Sequence, residues 1–334
     1  MKKILHLLYL LLFIAFIPLF SGCIHEYPDG EGIDPTLLTV EVNLLLNLEW
    51  KEHPNRMKTT VRSGESPRRR FIVEVWREGE LVSRQTVIPE DLTEGQTKFL
   101  LPETLTLHAL EYTVAVWTDH AEADSEDGLH HDATDLSNVT LHEPYTGNTD
   151  HRDCHYATTS LDLRSYRDQW NTHVRLDVNL ERPLAKYHII ATDAAEFLET
   201  ARKRFPGQTA FDIRFSYGFY FPLAFNVWEG KPANSQLGVA FTGSLTLPAD
   251  GTEELLLGTD HIFVNGAGSH IPLSIEITTR SGELVGKLTS LNVPYKRGYV
   301  TTIRGRFLTA ISGSGGIGID PGFDGDIDID LDEL

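Results

Sequence analysis

Cys23, the histidines between His120 and His155, and the glycines of Gly313 to Gly318 are the residues of this chain whose types and spacing could do chemistry. Cys23 closes a segment that opens Met1-Lys2-Lys3, runs apolar from Ile4 to Phe20 apart from His6 and Pro18, and ends Ser21-Gly22-Cys23. A basic start, an apolar middle and small residues before the cut make a secretory signal. A cysteine directly after the small pair matches the bacterial lipobox, where the thiol is acylated and the cysteine becomes the mature N-terminus; Phe20 departs from the aliphatic residue usual there. The competing reading is an uncleaved anchor with Cys23 as a bystander. The apolar run sits at the lower limit of the ~17–25 residues that span a bilayer, and Pro18 disfavours helix near its end, so both facts favour cleavage. Acyl chains would then hold the protein on a membrane, each buried methylene contributing about 0.8 kcal/mol.

His120, His130, His131, His142, His151 and His155, interspersed with Asp119, Asp124, Glu126, Asp127, Asp132, Asp150 and Cys154, offer imidazole, carboxylate and thiol, all ligands of zinc or copper. Their spacing does not support a metal site. There is no His-Glu-x-x-His and no paired Cys-x-x-Cys, and the i, i+4 pair His151 and His155 has little helical support. A solvated loop is the simpler reading, and no metal is assigned. Gly313-Ser314-Gly315-Gly316-Ile317-Gly318 formally matches GxGxxG, but phosphate cradling needs a helix to follow. Ile319-Asp320-Pro321 and a run of acids follow instead, so the glycines read as a linker. With no Gly-x-Ser-x-Gly elbow either, no catalytic residue and no cofactor is assigned.

The elements that must position these residues are strands. Leu38 to Leu44, Phe71 to Trp76, Leu81 to Val87, Tyr112 to Trp117, Val139 to Leu141 and Thr158 to Leu163 form a first set, in the rhythm of an antiparallel sandwich. Val174 to Leu180 opens a second set, completed by Phe211 to Trp228, Leu237 to Leu247, Ile271 to Thr278, Leu284 to Val293 and Tyr299 to Leu308. One helix is expected at Ala194 to Arg204, with Phe197, Leu198 and Ala201 as its apolar stripe, Asp193 as cap and Pro206-Gly207 as stop. The length of 334 residues agrees with about two domains. The expected organisation is a signal peptide at 1–22, a lipidated tether at 23–35, β-sandwiches at 36–171 and 172–311, and a Gly-rich, acidic tail at 312–334.

Composition narrows the partners. The formal charge of -19, more negative still once Lys2 and Lys3 leave with the signal, argues against nucleic acid and against adhesion to anionic lipid through basic patches. Cys23 and Cys154 are the only cysteines, so acylation of the first leaves no intramolecular disulfide, and Cys154 reads as a buried small residue. Arg68-Arg69-Arg70 reads first as a solvated turn before a strand. Asp324 to Asp332 alternates acid with Ile327, Ile329 and Leu331, the pattern of an extended strand able to add to another subunit's edge, with a disordered acidic tail as the alternative. The aromatic stretch Phe215 to Phe221 alternates, which makes most of it core.

Several segments carry a family likeness. Tyr112 to Asp119, Asp135 to Val139 and Tyr145 to Asp153 resemble the first domain of fimbrillin-like lipoproteins of the Bacteroidales type. Arg182 to Lys186 with Ile189 to Asp193 resembles the opening of their second domain, Val293 to Tyr299 and Thr302 to Thr309 their closing strands, and Ile319 to Gly325 their C-terminus. The resemblance implies two tandem transthyretin-like β-sandwiches, no enzymatic activity, and a place in surface fimbriae on the outer membrane, where one chain donates a β-strand to a groove of its neighbour. It further implies that stalk members lose their first strand to an arginine-specific protease, for which Arg68, Arg69 and Arg70 are the candidate site, whereas an anchor keeps its acylated Cys23. The expected partners are therefore other fimbrial subunits and, through lipid, the outer membrane. Two rival readings stand beside it: a surface lipoprotein that binds a glycan or host ligand near Tyr217 and Tyr220, and a metal-dependent enzyme built on His120 to His155.

Overall fold

Along most of the chain apolar residues recur at every second position, and in β1 (Leu37–Leu46) they bury Leu38, Val40, Val42, Leu44 and Leu46 in turn. The computed structural model describes residues 35–49, 67–90, 92, 95–122, 125–247, 249–266, 268–309 and, as backbone alone, 327–330. Cys23, the signal segment, the tether, Asp124 and the Gly313 to Gly318 linker lie outside the described residues. After β1 come β2 (Arg69–Arg77), β3 (Glu80–Val87), β4 (Lys98–Leu100), β5 (Leu105–His108), β6 (Glu111–His120), β7 (His131–Asp132), β8 (Val139–Leu141), β9 (His155–Asp162) and β10 (His173–Leu180). The chain continues as β11 (Leu184–Ala191), the helix α1 (Ala194–Arg204), β12 (Ala210–Tyr217), β13 (Phe221–Asn226), β14 (Lys231–Gln236) and β15 (Ala240–Thr246). It ends with β16 (Leu255–Phe263), β17 (Ser269–Thr279), β18 (Leu284–Tyr295), β19 (Val300–Gly305) and β20 (Ile327–Asp330). The fold is all-β with one short helix.

The chain divides into two compact units. The first takes residues up to Glu41, Glu103–Glu111 and Asp162–Arg175. In it the first half of β1 pairs antiparallel with β5, Leu37 opposite His108 and Val40 opposite Leu105, and Leu38, Leu105, Leu107, Ala109 and Leu163 are buried.

The second unit takes Val42–Pro102, Tyr112–Leu161 and Leu176–Leu334. Its sheets run β3-β2-β6-β9, β14-β13-β8-β7, β15-β12-β17-β18 and β16-β11-β19-β20. In the sheet β16-β11-β19-β20, β19 lies parallel to both β11 and β20. Strand β2 is buried on both faces over much of its length, whereas β11 alternates, with Tyr187, Ile189 and Ala191 buried and Lys186, His188 and Ile190 half-buried. One contiguous buried cluster runs from Ile72 to Leu308, with Trp117, Tyr187, Phe215, Phe225, Phe263 and Tyr295 among its large members. The sheet β14-β13-β8-β7 draws strands from both sides of residues 171 and 172, with Thr140 opposite Ala224 and Val139 opposite Phe225.

Helix α1 has the expected bounds and buries Ala194, Phe197, Leu198 and Ala201. Asp193 sits at its cap position, but its side chain makes no cap bond. The carboxylate instead accepts from the backbone N–H groups of Leu308 (3.1 Å) and Thr309 (2.7 Å) and from the Thr309 hydroxyl (2.7 Å), tying the segment after β19 to the helix start. Of the alternating tail, Ile327–Asp330 is described: it forms β20, beside Thr301 to Arg304 of its own chain.

Candidate functional site

The densest polar chemistry lies inside the second unit, where three arginines enter the core and each meets a carboxylate. Strand β2 carries Arg70 opposite Asp119 of β6. Its Nε and Nη2 donate to the two Asp119 carboxylate oxygens at 2.8 and 2.7 Å, while Nη1 donates to the Glu126 carbonyl at 2.8 Å. Such a fork on a carboxylate is the strongest form of charge-assisted hydrogen bond. Trp117 Nε1 adds a bond to Asp119 at 2.9 Å, and His131 Nδ1 stands 3.8 Å from the same carboxylate, its ring edge-on to Trp117. Gly128 makes the closure sterically feasible: a Cβ there would lie 2.0 Å from the His131 carbonyl oxygen and 2.5 Å from Arg70 Nη2. The triplet Arg68-Arg69-Arg70 therefore does not form a solvated turn. Arg68 is exposed just before β2, Arg69 is half-buried, and Arg70 is buried in the strand.

Arg152, on the short turn Asp150–Arg152, makes the second clamp. Nη1 donates to Asp260 at 2.6 Å and Nη2 to the His261 carbonyl at 2.9 Å. Asp260, in the middle of β16, also accepts from the Tyr145 hydroxyl at 2.6 Å and from the Tyr217 hydroxyl, which in turn meets the Tyr187 hydroxyl at 2.9 Å. Burial works against the Arg152 charge, but the fields of Tyr145 and Asp260 outweigh it and hold its pKa above the ordinary arginine value.

The third clamp joins Arg182 to Asp153, Nε to Oδ1 at 2.7 Å and Nη2 to Oδ2 at 3.0 Å, and the same guanidinium bonds the carbonyls of Asn47, Leu48 and Glu49. Burial alone would raise the Asp153 carboxyl, but the fields of His155 and Arg182 and the Arg182 hydrogen bonds hold it well below the usual range. Cys154 is buried between these two clamps, and burial pushes its thiol well up, so it stays protonated and packs as an apolar group.

The histidines expected in a solvated loop are divided: two are core, His120, His130 and His151 are half-buried, and His142 is exposed. His131 and His155 are fully buried, and burial lowers His120 to about 3 and both His130 and His155 to about 4. His155 Nε2 lies 2.9 Å from the Asn47 carbonyl and His120 Nδ1 2.9 Å from the His151 carbonyl. These rings fill space beside arginines and are neutral at pH 7. A cleft of about 260 Å³ opens over Arg152, lined by His130, His142, Glu143, Tyr145 and Thr146, but the guanidinium at its floor is already bonded to Asp260 and His261. Among the described residues, no group of three or more His, Cys, Asp or Glu comes together as a set able to hold a metal ion.

The aromatic stretch divides. Phe215, Tyr217 and Phe221 are buried, whereas Phe219 and Tyr220 are 63% and 65% exposed in the turn between β12 and β13. A ligand platform using Tyr217 is thus lost to the Asp260 network, and Tyr220 remains at the surface. Sequence reasoning missed Arg152, Asp260 and Tyr145 as a unit. Asp260 lies 108 positions from Arg152, and no local spacing announces a pair at that distance.

Chemically, the clamps fix strands to one another. Each carboxylate is saturated by arginine, tryptophan or tyrosine donors, and the thiol is protonated, so none is poised as a nucleophile or base. The fold and this interior define an all-β protein stapled by buried arginine–carboxylate pairs.

The chain belongs to the family of unknown function DUF6562, whose model matches residues 35–332. No curated protein matches it. Among solved structures it is similar to a candidate adhesin from Bacteroides ovatus, at 14% identity over 76% of each chain with a TM-score of 0.42. It is also similar to a candidate cell adhesion protein from Parabacteroides distasonis, at 11% identity over 85% of this chain and 94% of that one, TM-score 0.43. The fimbrial anchor protein Mfa2 from Porphyromonas gingivalis is similar at 12% identity over 75% of this chain and 82% of that one, TM-score 0.37.

Proposed function

We propose that the protein is a surface-facing lipoprotein of the outer membrane, held by acylated Cys23, that serves as a fimbrial subunit and, within that class, as an anchor. The observation that carries the reading is the lipobox at Ser21-Gly22-Cys23 placed ahead of an all-β chain whose segments resemble fimbrillin-like lipoproteins in order. Two β-sandwich domains, at 36–171 and 172–311, are part of this reading. Subunits join by β-strand addition, which needs an open sheet edge. Strand β3 fits that requirement: it lies at the rim of β3-β2-β6-β9 and exposes Leu81 and Val82.

The anchor role is favoured over the stalk role by Arg70. Cleavage at Arg68-Arg69-Arg70 would have to draw a buried guanidinium off Asp119 and open a strand paired on both sides. Retention of the acylated end avoids that.

Mass spectrometry of the native N-terminus tests the reading. A diacyl- or triacyl-modified Cys23 is the expected result, and a chain starting near Phe71 would assign the protein to the stalk class. If Cys23→Ala leaves fibre attachment unchanged and no complex with neighbouring fimbrial subunits forms, the anchor proposal fails.

A further inference from the structure

One end of the sheet β15-β12-β17-β18 carries an exposed apolar tip that the buried network does not use. The turn Gly218-Phe219-Tyr220 leaves β12 for β13, and Leu237-Gly238 leaves β14 for β15. The ladders bring the two turns side by side: Phe221 is opposite Gln236 in one, Ser216 is opposite Ala240 in the other, and the Tyr217 N–H donates to the Val239 carbonyl. Tyr220 and Leu237 follow as the next pair beyond Phe221 and Gln236, so Phe219, Tyr220 and Leu237 share one end of the sheet, at 63%, 65% and 54% exposure.

The strand and turn segments that form this end carry no ionic charge: no Asp, Glu, Lys or Arg occurs from Phe215 to Trp228, from Pro232 to Ala249, from Ser269 to Ile275 or from Leu288 to Tyr295, in a chain of net charge -19. Uncharged hydrogen-bonding groups flank the rings instead: Ser235 and Gln236 are exposed on β14 opposite Pro222 and Phe221, and the tyrosine brings its own hydroxyl.

We infer that this tip is a binding site for a neutral carbohydrate, with the Phe219 and Tyr220 rings packing on the C–H face of a sugar and the amides and hydroxyls beside them meeting its hydroxyl groups. Magnitudes and charge separate this occupant from its rivals. At ~200 Å² for each large side chain, the three together offer about 350 Å², within the range of functional apolar patches and well short of the ~800 Å² that each side of a stable protein interface covers. A lipid surface calls for Lys or Arg to meet anionic headgroups, and the tip has none while the molecule as a whole is repelled. A neutral sugar needs an aromatic face and uncharged donors and acceptors, and both are present. The inference is independent of any role in fimbriae.

The test is affinity electrophoresis of the full-length chain in native gels containing dextran, laminarin, galactomannan or xyloglucan. The wild-type chain is expected to be retarded by at least one, and Phe219→Ala/Tyr220→Ala to weaken that retardation at least tenfold while its thermal unfolding is unchanged. Phe219→Leu/Tyr220→Leu keeps apolar area and removes the rings; it is expected to lose the sugar as well. No retardation in any of the gels, or equal retardation of the wild type and the leucine variant, overturns the proposal. So does a loss, in the alanine variant, of phosphatidylcholine-vesicle binding or of self-association that the wild type displays.

Discussion

Removing one member of a buried ion pair strands the other. Arg152→Ala would leave Asp260 inside the core with only tyrosine hydroxyls and a backbone N–H as donors, and a loss of about 3–5 kcal/mol of stability is expected from such a break, read as a shifted urea midpoint at unchanged m-value. The conservative Arg152→Lys cannot reproduce two forked bonds to Asp260 and the His261 carbonyl, so it should recover only part of that loss. The buried histidines set the acid side of stability. Their unfolded pKa is about 6.5, and the folded values of about 3 for His120 and about 4 for His155 mean that the unfolded chain binds more protons between those limits. Stability is therefore complete above pH 6.5 and declines as pH falls through 6.5 toward 4, each unit of depression contributing about 1.4 kcal/mol per histidine. Urea midpoints measured from pH 7.5 to 4.5 should fall steadily, and His155→Phe should flatten the slope; a flat profile in the native chain would contradict the neutral, buried assignment.

At the scale of elements, Gly258 is the point where two sheets nearly touch. A Cβ on this β16 residue would lie 2.3 Å from the Phe215 ring of β12, so Gly258→Ala is expected to cost about 1–3 kcal/mol by overpacking, and the double variant with Phe215→Leu should regain part of it in thermal unfolding. Asp193 offers a second check: Asp193→Ala removes the acceptor for the Leu308 and Thr309 N–H groups, with an expected loss of about 1–3 kcal/mol and faster amide exchange confined to those residues. The helix and the strands with clean alternation could be read from sequence because a period of two or of 3.6 is a local property. Strand β16 could not: Thr259, Asp260 and His261 interrupt its apolar run, and they are buried only because Arg152 and the tyrosines reach them from elsewhere in the chain. Strand β14 escaped for the opposite reason, since Lys231 to Gln236 has no apolar face and is held at the rim of its sheet by pairing with β13. The clamps themselves read as surface, because an arginine met in sequence is ordinarily exposed. The same expectation made Arg68-Arg69-Arg70 a turn and the histidines a solvated loop.

At the scale of the whole molecule, the described residues contain no helix long and apolar enough to cross a membrane. The proposed attachment through Cys23 predicts that globomycin, which blocks lipoprotein signal cleavage, causes the unprocessed chain to accumulate in the membrane fraction, and that Cys23→Ser abolishes labelling by an alkynyl fatty acid. Absence of labelling in the native chain would remove the membrane half of the proposal.

The parallel pairing of β19 with β11 also governs when the fold can finish. Lys186 meets Val300 and Ala191 meets Gly305, so a central strand made midway through synthesis has one flank unpaired until nearly the whole chain has been made. Contacts this distant in sequence slow folding, and an export pathway that delivers the N-terminus first would expose that bare flank for the longest time. A chain truncated before Val300 should be a persistent client of chaperones, whereas one ending after Thr309 should fold without them.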